Sequence, residues 1–362
     1  MDVEDWFSDG GAASATDSLR VWVQQDFGVE IATFTAVEHG ADEASLLWRG
    51  VGADGESYAV KLSGGGTPAG LIVSVHLAEH GVAGVMYPLI GRHGRPWSDR
   101  EGRRLSVVPW VSETRALEGE MSPAHWRSYG ALLAKVHATA VTDALAKSLP
   151  REDHTHDQVA SAARTVDSSL RLTDEDPAAA GRMVDGLVRA LAQEWCAGDR
   201  VSTLLDQADR LGRELHTQKS SSVVCHGDPH LGNVLIGRDE RVWLIDWDDA
   251  VLAPPERDLM FILGGVLAFA PVTRQQQSWF FEGYGPTEID PIRLAYYRCA
   301  RALEDLASPA AQIVDVHRFT DRERADALSI VQGVLSPTGL VNLALASAAE
   351  AVIDRPLGKL GT

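Results

Sequence analysis

Asp228, Asn233 and Asp246 are the residues of this sequence whose types and spacing could do chemistry together. They lie in VVCHGDPHLGNVLIGRDERVWLIDWDD, residues 223–249. Asn233 follows Asp228 by five positions. Two apolar runs, 234–236 and 242–245, read as short buried strands joined by the polar turn Gly237-Arg238-Asp239-Glu240, and the second run delivers Asp246. A carboxylate, an amide and a second carboxylate beyond a hairpin suit phosphoryl transfer. One Asp accepts the proton of an attacking hydroxyl, while the Asn and the other Asp hold Mg²⁺ against nucleotide phosphates. Hard Mg²⁺ prefers oxygen ligands and takes only one or two carboxylates, which matches this donor set. The spacing therefore assigns Asp228 as base and Asn233 and Asp246 as metal ligands.

His226-Gly227-Asp228 with Asn233, followed by Ile245-Asp246-Trp247-Asp248, resembles the aminoglycoside phosphotransferase family. Protein kinases would carry Arg in place of Gly227 and Asp-Phe-Gly in place of residues 246–248. The segments APPERDLMF (253–261) and YYRCARALEDL (296–306) resemble the spectinomycin phosphotransferase branch of that family. The likeness runs from about residue 33 to 310 and is densest over 223–261. It implies a two-lobed, kinase-like α+β fold, with a small antiparallel-sheet lobe and a larger, mainly helical one. The implied activity is Mg²⁺-dependent transfer of the γ-phosphoryl of ATP, with GTP equally compatible, to a hydroxyl of an aminoglycoside- or spectinomycin-type antibiotic. Its expected use is resistance or self-resistance. A kinase acting on a nucleoside-type antibiotic, or on a metabolite such as choline or homoserine, is the alternative. A catalytically inactive kinase-like binding module is a second alternative, against which the intact set of Lys61, Asp228, Asn233 and Asp246 argues. The resemblance also gives His226 and Asp258 structural roles: His226 braces the catalytic loop, and Asp258 ties the following helix to it.

These residues need elements to position them. The expected divisions are a nucleotide-binding lobe over residues 1–108, a hinge at 109–112 and a catalytic and substrate-binding lobe over 113–362. A short helix over 18–27 precedes three strands near 31–37, 46–51 and 57–62. Lys61, in Tyr58-Ala59-Val60-Lys61-Leu62, matches the strand that carries a nucleotide lysine, whose charge reaches the phosphates. Glu79 is either the carboxylate that orients Lys61 or a solvated helix-end residue. Residues 40–45 are either a flap over the phosphates, with Gly40 and the Ser45 hydroxyl contributing, or a plain hairpin loop. Residues 104–111 read as a strand entering the hinge, where the backbone at Pro109 and Val111 would meet the nucleobase. Ser122-Pro123 caps a helix carrying Trp126, Tyr129, Leu132, Leu133 and Val136 on one face. His137 falls on that face and is read as a core histidine. A helical insertion is expected over about 151–215, broken near Asp176-Pro177, and helices over 256–269, 291–316 and 320–345 follow. Carboxylates that would meet an ammonium-bearing acceptor are Asp249, Glu304 and Asp305. For the last two, a solvated pair balanced by Arg298 and Arg301 is the competing reading.

Composition bounds the classes. The 362 residues carry a net charge of −18, from 51 acidic and 33 basic side chains. Such a balance argues against nucleic acid as a partner, because a polyanion calls for a basic footprint. It is compatible with drawing a cationic small molecule toward an acidic cleft, as well as with plain solubility. Three widely spaced cysteines, Cys196, Cys225 and Cys299, fit no metal-ligand spacing and suit reduced thiols. Cys225 is expected to pack as the last apolar residue of a strand. The acidic start MDVEDWFSDGG lacks a basic region with an apolar core behind it, and no apolar run was expected to reach the roughly 18 residues of a bilayer span. A cytoplasmic protein with no membrane partner is the expectation, with oligomeric state open.

Overall fold

The computed structural model describes residues 11–37, 45–175, 185–218 and 221–353. In chain order, α1 (Gly11–Phe27) leads into β1 (Ile31–Ala36), β2 (Ser45–Gly52), β3 (Ser57–Ser63), α2 (Ala69–Glu79), β4 (Ser98–Arg100) and β5 (Arg103–Pro109). Then come α3 (Pro123–Ala138), α4 (Asp143–Ser148), α5 (Asp157–Glu175), α6 (Gly186–Cys196) and α7 (Arg200–His216). The short strands β6 (Val223–Cys225), β7 (Val234–Ile236), β8 (Val242–Leu244) and β9 (Val251–Ala253) precede α8 (Glu256–Leu259). The chain continues through α9 (Arg274–Tyr284), α10 (Pro291–Val314), α11 (Asp321–Leu335) and α12 (Leu340–Ile353). An antiparallel sheet with a largely helical remainder is the kinase-like α+β class expected.

Two compact units emerge. Unit 1 comprises residues 1–150, 223–252 and 279–285, and unit 2 comprises 151–222, 253–278 and 286–362. The expected hinge at 109–112 lies inside unit 1, and the catalytic stretch groups with the sheet.

In unit 1 the sheet runs β1-β2-β3-β5-β4, antiparallel throughout. Residues alternate between faces along a strand. Leu46 and Trp48 of β2, Val60 and Leu62 of β3, and Leu105 and Val107 of β5 therefore share one face, which buries Leu19 and Val23 of α1. Lys61, between Val60 and Leu62, falls on the opposite face. Asp26 at the end of α1 is buried and paired with Arg100 of β4, fastening helix to sheet edge. On α3, Ser122 and His125 form a reciprocal capping box with Pro123 in the first turn. Its buried face carries Trp126, Tyr129, Leu132, Leu133 and Val136, and His137 is indeed a core residue, with Nδ1 2.7 Å from the Tyr284 hydroxyl.

Unit 2 is built on α10, with α5, α7, α11 and α12 packed against it. Tyr296, Tyr297, Cys299, Leu303 and Leu306 lie in its core. Three expectations need correction here. The helix foreseen over 256–269 stops at Leu259; i−3 turns follow at Phe261 and Ile262, and Gly264 and Gly265, with φ +98° and +77°, keep a helix from resuming. The helix foreseen over 320–345 is two, α11 and α12, broken at Ser336-Pro337-Thr338-Gly339, where Pro337 cannot continue the helical ladder. The stretch 321–351 is also long and apolar enough to cross a membrane by length and composition, contrary to the expectation that no run would be. Much of it is core: Ala327, Val331, Leu335, Leu340, Val341 and Ala344 pack with α10.

Candidate active site

The hairpin β7–β8 pairs Val234 with Leu244, Leu235 with Trp243 and Ile236 with Val242, as the two apolar runs foretold. It is bracketed on both sides by backbone. Ala116 N–H donates to Val234 O at 2.8 Å, and Leu244 N–H donates to Gly84 O at 2.8 Å. Tight bracketing matters because this hairpin fixes where the two ends of the site lie.

Asp228 sits on the loop after β6. Gly227 just before it has φ +88°, and a Cβ there would come within 2.1 Å of Asp249 O, so only glycine lets the two loops approach. His226 is fully buried and spans the same gap: its Nε2 is 2.9 Å from Ile245 O, and its Nδ1 accepts from Asp228 N–H at 3.3 Å. That acceptor role places the ring proton on Nε2, which donates to the Ile245 carbonyl. The imidazole also lies 4.5 Å from the Trp247 ring. His226 thus links the Asp228 loop to the segment that leads from β8 to Asp246. The Tyr129 hydroxyl of α3 donates to Pro229 O and holds the loop from the helical side.

Asn233 closes a single turn of 3₁₀ helix, residues 231–233, that returns the chain toward Asp228. Its Nδ2 donates to Asp228 O at 2.9 Å and lies 3.5 Å from Asp228 Oδ2. With the amide nitrogen so engaged, Oδ1 is the atom presented for a metal. Ile245 N–H donates to Asn233 O at 3.1 Å, so the segment that leads from β8 to Asp246 is anchored directly to the Asn. Asp246 adopts φ +62°, uncommon for a residue other than glycine and tolerated best by Asp and Asn. Its side chain is half exposed. An amide oxygen and a carboxylate held by one short hairpin are hard oxygen donors, the chemistry Mg²⁺ asks for.

Lys61 reaches the same segment from β3. Its ammonium lies 2.6 Å from Asp248 Oδ2 and 3.4 Å from Asp246 Oδ1. Burial alone would depress the lysine pKa, but the two carboxylates outweigh it and raise the pKa above the ordinary value. Glu79 is exposed at the end of α2, and the carboxylates that Lys61 meets are Asp246 and Asp248. The α2 backbone comes close instead: a Cβ at Gly70 would meet Trp247 O at 2.5 Å.

Other expected residues are more scattered. Gly40 lies outside the described residues, and the Ser45 hydroxyl is 3.4 Å from that of Ser63. Pro109 ends β5 opposite Tyr58, Trp110 N–H donates to Ser57 O at 2.8 Å, and Val111 is exposed. Cys225 is buried at the end of β6 as a packing residue. In unit 2, Asp258 is fully buried in α8. Glu304 is 3.9 Å from Arg257, and Asp305 is 2.8 Å from Arg301, one helical turn away. The expected balance by arginines holds for Arg301, whereas Arg298 is buried and donates to Ser347 and to Leu263 O. Burial pulls the Arg298 pKa down to about 10.

Two participants escaped sequence reasoning. His230 accepts from Gly232 N–H on Nδ1 at 2.9 Å and sets its Nε2 3.5 Å from Asp228 Oδ2. Its place two residues after Asp228 was the available signal. Asp248 enters the sequence reading only as part of the motif after Ile245, because nothing local links it to a lysine 187 positions upstream.

Comparison with known proteins accords with this geometry. The chain is 30% identical over 217 residues to Protein StrN of Streptomyces griseus, an alignment spanning 59% of this chain and 65% of that protein. Its fold is similar to that of spectinomycin phosphotransferase APH(9)-Ia, solved with ADP and spectinomycin, with TM-score 0.79 and 24% identity over 91% of this chain and 98% of the other. It is also similar to a thermostable aminoglycoside phosphotransferase APH(4)-Ia in a ternary complex with AMP-PNP and hygromycin B, with TM-score 0.57 and 14% identity over 92% and 99% of the two chains. The profile of the phosphotransferase enzyme family matches residues 34–303, and the chain belongs to that family.

Proposed function

We propose that this protein transfers the γ-phosphoryl group of ATP to a hydroxyl of a small antibiotic of the spectinomycin or aminoglycoside type. The observation that carries the reading is the meeting, within unit 1, of the Lys61 ammonium with Asp246, on a hairpin that also fixes Asn233 and Asp228. Asp228 takes the hydroxyl proton as the acceptor attacks. Phosphoryl transfer needs little covalent help from a protein, so positioning and charge stabilisation carry most of the catalysis. Lys61 holds nucleotide phosphates, and Asn233 Oδ1 with the Asp246 carboxylate would hold Mg²⁺, which neutralises phosphate charge when bound. The backbone at Pro109 and Val111 would meet the nucleobase, and Ser45 would meet the phosphates together with Gly40, which lies outside the described residues. Asp249, Glu304 and Asp305 are the carboxylates available to an ammonium-bearing acceptor. The fold likeness to APH(9)-Ia, solved with spectinomycin, and the resemblance of segments 253–261 and 296–306 to the spectinomycin phosphotransferase branch favour a spectinomycin-type acceptor over a nucleoside or choline. Incubating the purified protein with Mg·ATP and a panel of antibiotics, nucleosides and amino alcohols, read by a mass gain of one phosphate, tests the proposal. Phosphorylation of spectinomycin or an aminoglycoside is the expected result. Labelling of nucleosides or choline alone would move the enzyme to another acceptor class.

A further inference from the structure

Resting on that reading, we infer that Asp248, not a carboxylate on α2, is the residue that positions Lys61 for the nucleotide. The ammonium–carboxylate distance is 2.6 Å, the shorter of the two contacts Lys61 makes with carboxylates. Glu79, the acidic residue of α2, is exposed at the helix end. The local backbone explains the substitution of roles. Asp246 takes a left-handed conformation, and Trp247 is buried against His226, with its indole N–H donating to Leu244 O at 3.3 Å. With Trp247 pinned between them, Asp246 and Asp248 reach the same lysine from one short segment. Gly70 lets the α2 backbone press against Trp247 O, which secures that segment from the sheet side. An ammonium has three donors. One to Asp248 and a longer one toward Asp246 leave a third for a phosphate oxygen, so the contact orients the lysine and does not consume it. Asp246 is thereby relieved of sole charge balance for Lys61 and keeps its oxygens for metal.

Binding of Mg·ATP without any acceptor, followed by calorimetry, separates this inference from the parent proposal. The set is wild type, Asp248→Asn, Glu79→Gln, Lys61→Met and Lys61→Met/Asp248→Asn. Asp248→Asn is expected to weaken Mg·ATP binding roughly three- to tenfold, the scale of a partly exposed ion pair with direct coupling. Glu79→Gln should leave affinity unchanged. On the Lys61→Met background, Asp248→Asn should have no further effect, because its influence passes through Lys61; a merely structural role would persist there. The Mg²⁺ concentration giving half-maximal ATP binding should be the same for Asp248→Asn as for wild type. Tighter binding by Asp248→Asn would make the pair a latch that nucleotide must break, and a raised Mg²⁺ requirement would make Asp248 a metal ligand; either overturns the inference. Additive effects of Lys61→Met and Asp248→Asn, or weaker binding on changing Glu79, would also overturn it. Failure of the wild type to bind Mg·ATP at all would instead overturn the phosphotransferase reading itself.

Discussion

At the scale of single residues, the site separates groups by the kind of atom each must offer. Asp228 Oδ2 lies 3.5 Å from both the Asn233 amide and the His230 imidazole, in a loop that Asn233 ties down through Asp228 O at 2.9 Å. Replacing Asp228 by Asn keeps size and hydrogen bonding but removes the proton acceptor. Single-turnover and steady-state kinetics of Asp228→Asn should show kcat reduced by roughly 10²–10⁴ with KM for ATP little changed. Near-normal turnover would remove Asp228 from the role of base. Asp228, Asn233 and Asp246 were legible because their chemistry is local: an Asp and an Asn five apart and an Asp beyond one hairpin leave a fixed signature. His226 was legible through resemblance, and its two hydrogen bonds to backbone now supply the physical reason. The partner of Lys61 was not legible. Strand and carboxylate are far apart in sequence, and a charged residue near a lysine on the surface reads the same as one bound to it.

Elements were legible where periodicity or punctuation was strong. The capped helix α3, the strands β2 and β3 and the hairpin β7–β8 were all foreseen, because alternation and Ser-Pro capping are local signals. Misjudged elements sit where a glycine pair or a proline overrides an apolar run, at 264–265 and at 337. The same conformational demand governs Gly227. Gly227→Ala should cost stability, on the order of 2 kcal/mol or more for a strained backbone with a blocked contact, and should abolish phosphoryl transfer. Urea unfolding and a phosphoryl-transfer assay check both parts; a folded, active variant would mean the 223–249 loops can part without consequence. Between α1 and the sheet edge, Asp26 carries the second element-scale prediction. Its burial would raise the carboxyl pKa, but the hydrogen bonds and charge of Arg100 outweigh this and hold it below the ordinary value. A depressed folded pKa gives stability that is present above the unfolded value of about 3.9 and is lost as pH falls through the lower, folded value. Asp26→Asn should therefore lower stability at neutral pH by about 1–3 kcal/mol and flatten the acid limb of the stability curve below pH 4. An unchanged acid limb would show that Arg100 does not stabilise the charged form.

On the scale of the whole molecule, the phosphoryl-transfer groups all belong to unit 1, while two of the three candidate acceptor carboxylates, Glu304 and Asp305, belong to unit 2. For an ammonium-bearing acceptor, Asp249→Asn, Glu304→Gln and Asp305→Asn, assayed at low and moderate ionic strength, should include at least one variant with raised acceptor KM and unchanged ATP KM. Salt should weaken acceptor affinity to the extent that the contact is exposed. Wild-type acceptor kinetics in all three would remove the cationic acceptor and leave phosphoryl transfer standing. Net charge could not foretell this division, because −18 says how much charge there is and not where it lies. The apolar stretch 321–351 has a consequence for biogenesis. Until it packs against α10, which is made before it, a newly made chain displays within 321–351 a window apolar enough to engage chaperones or to aggregate. Unit 2 draws on three separate parts of the sequence, the last of them carrying this stretch, so its core closes only after nearly the whole chain has been made. Chaperone supply then bears on the yield of folded protein, alongside the stability of the finished fold.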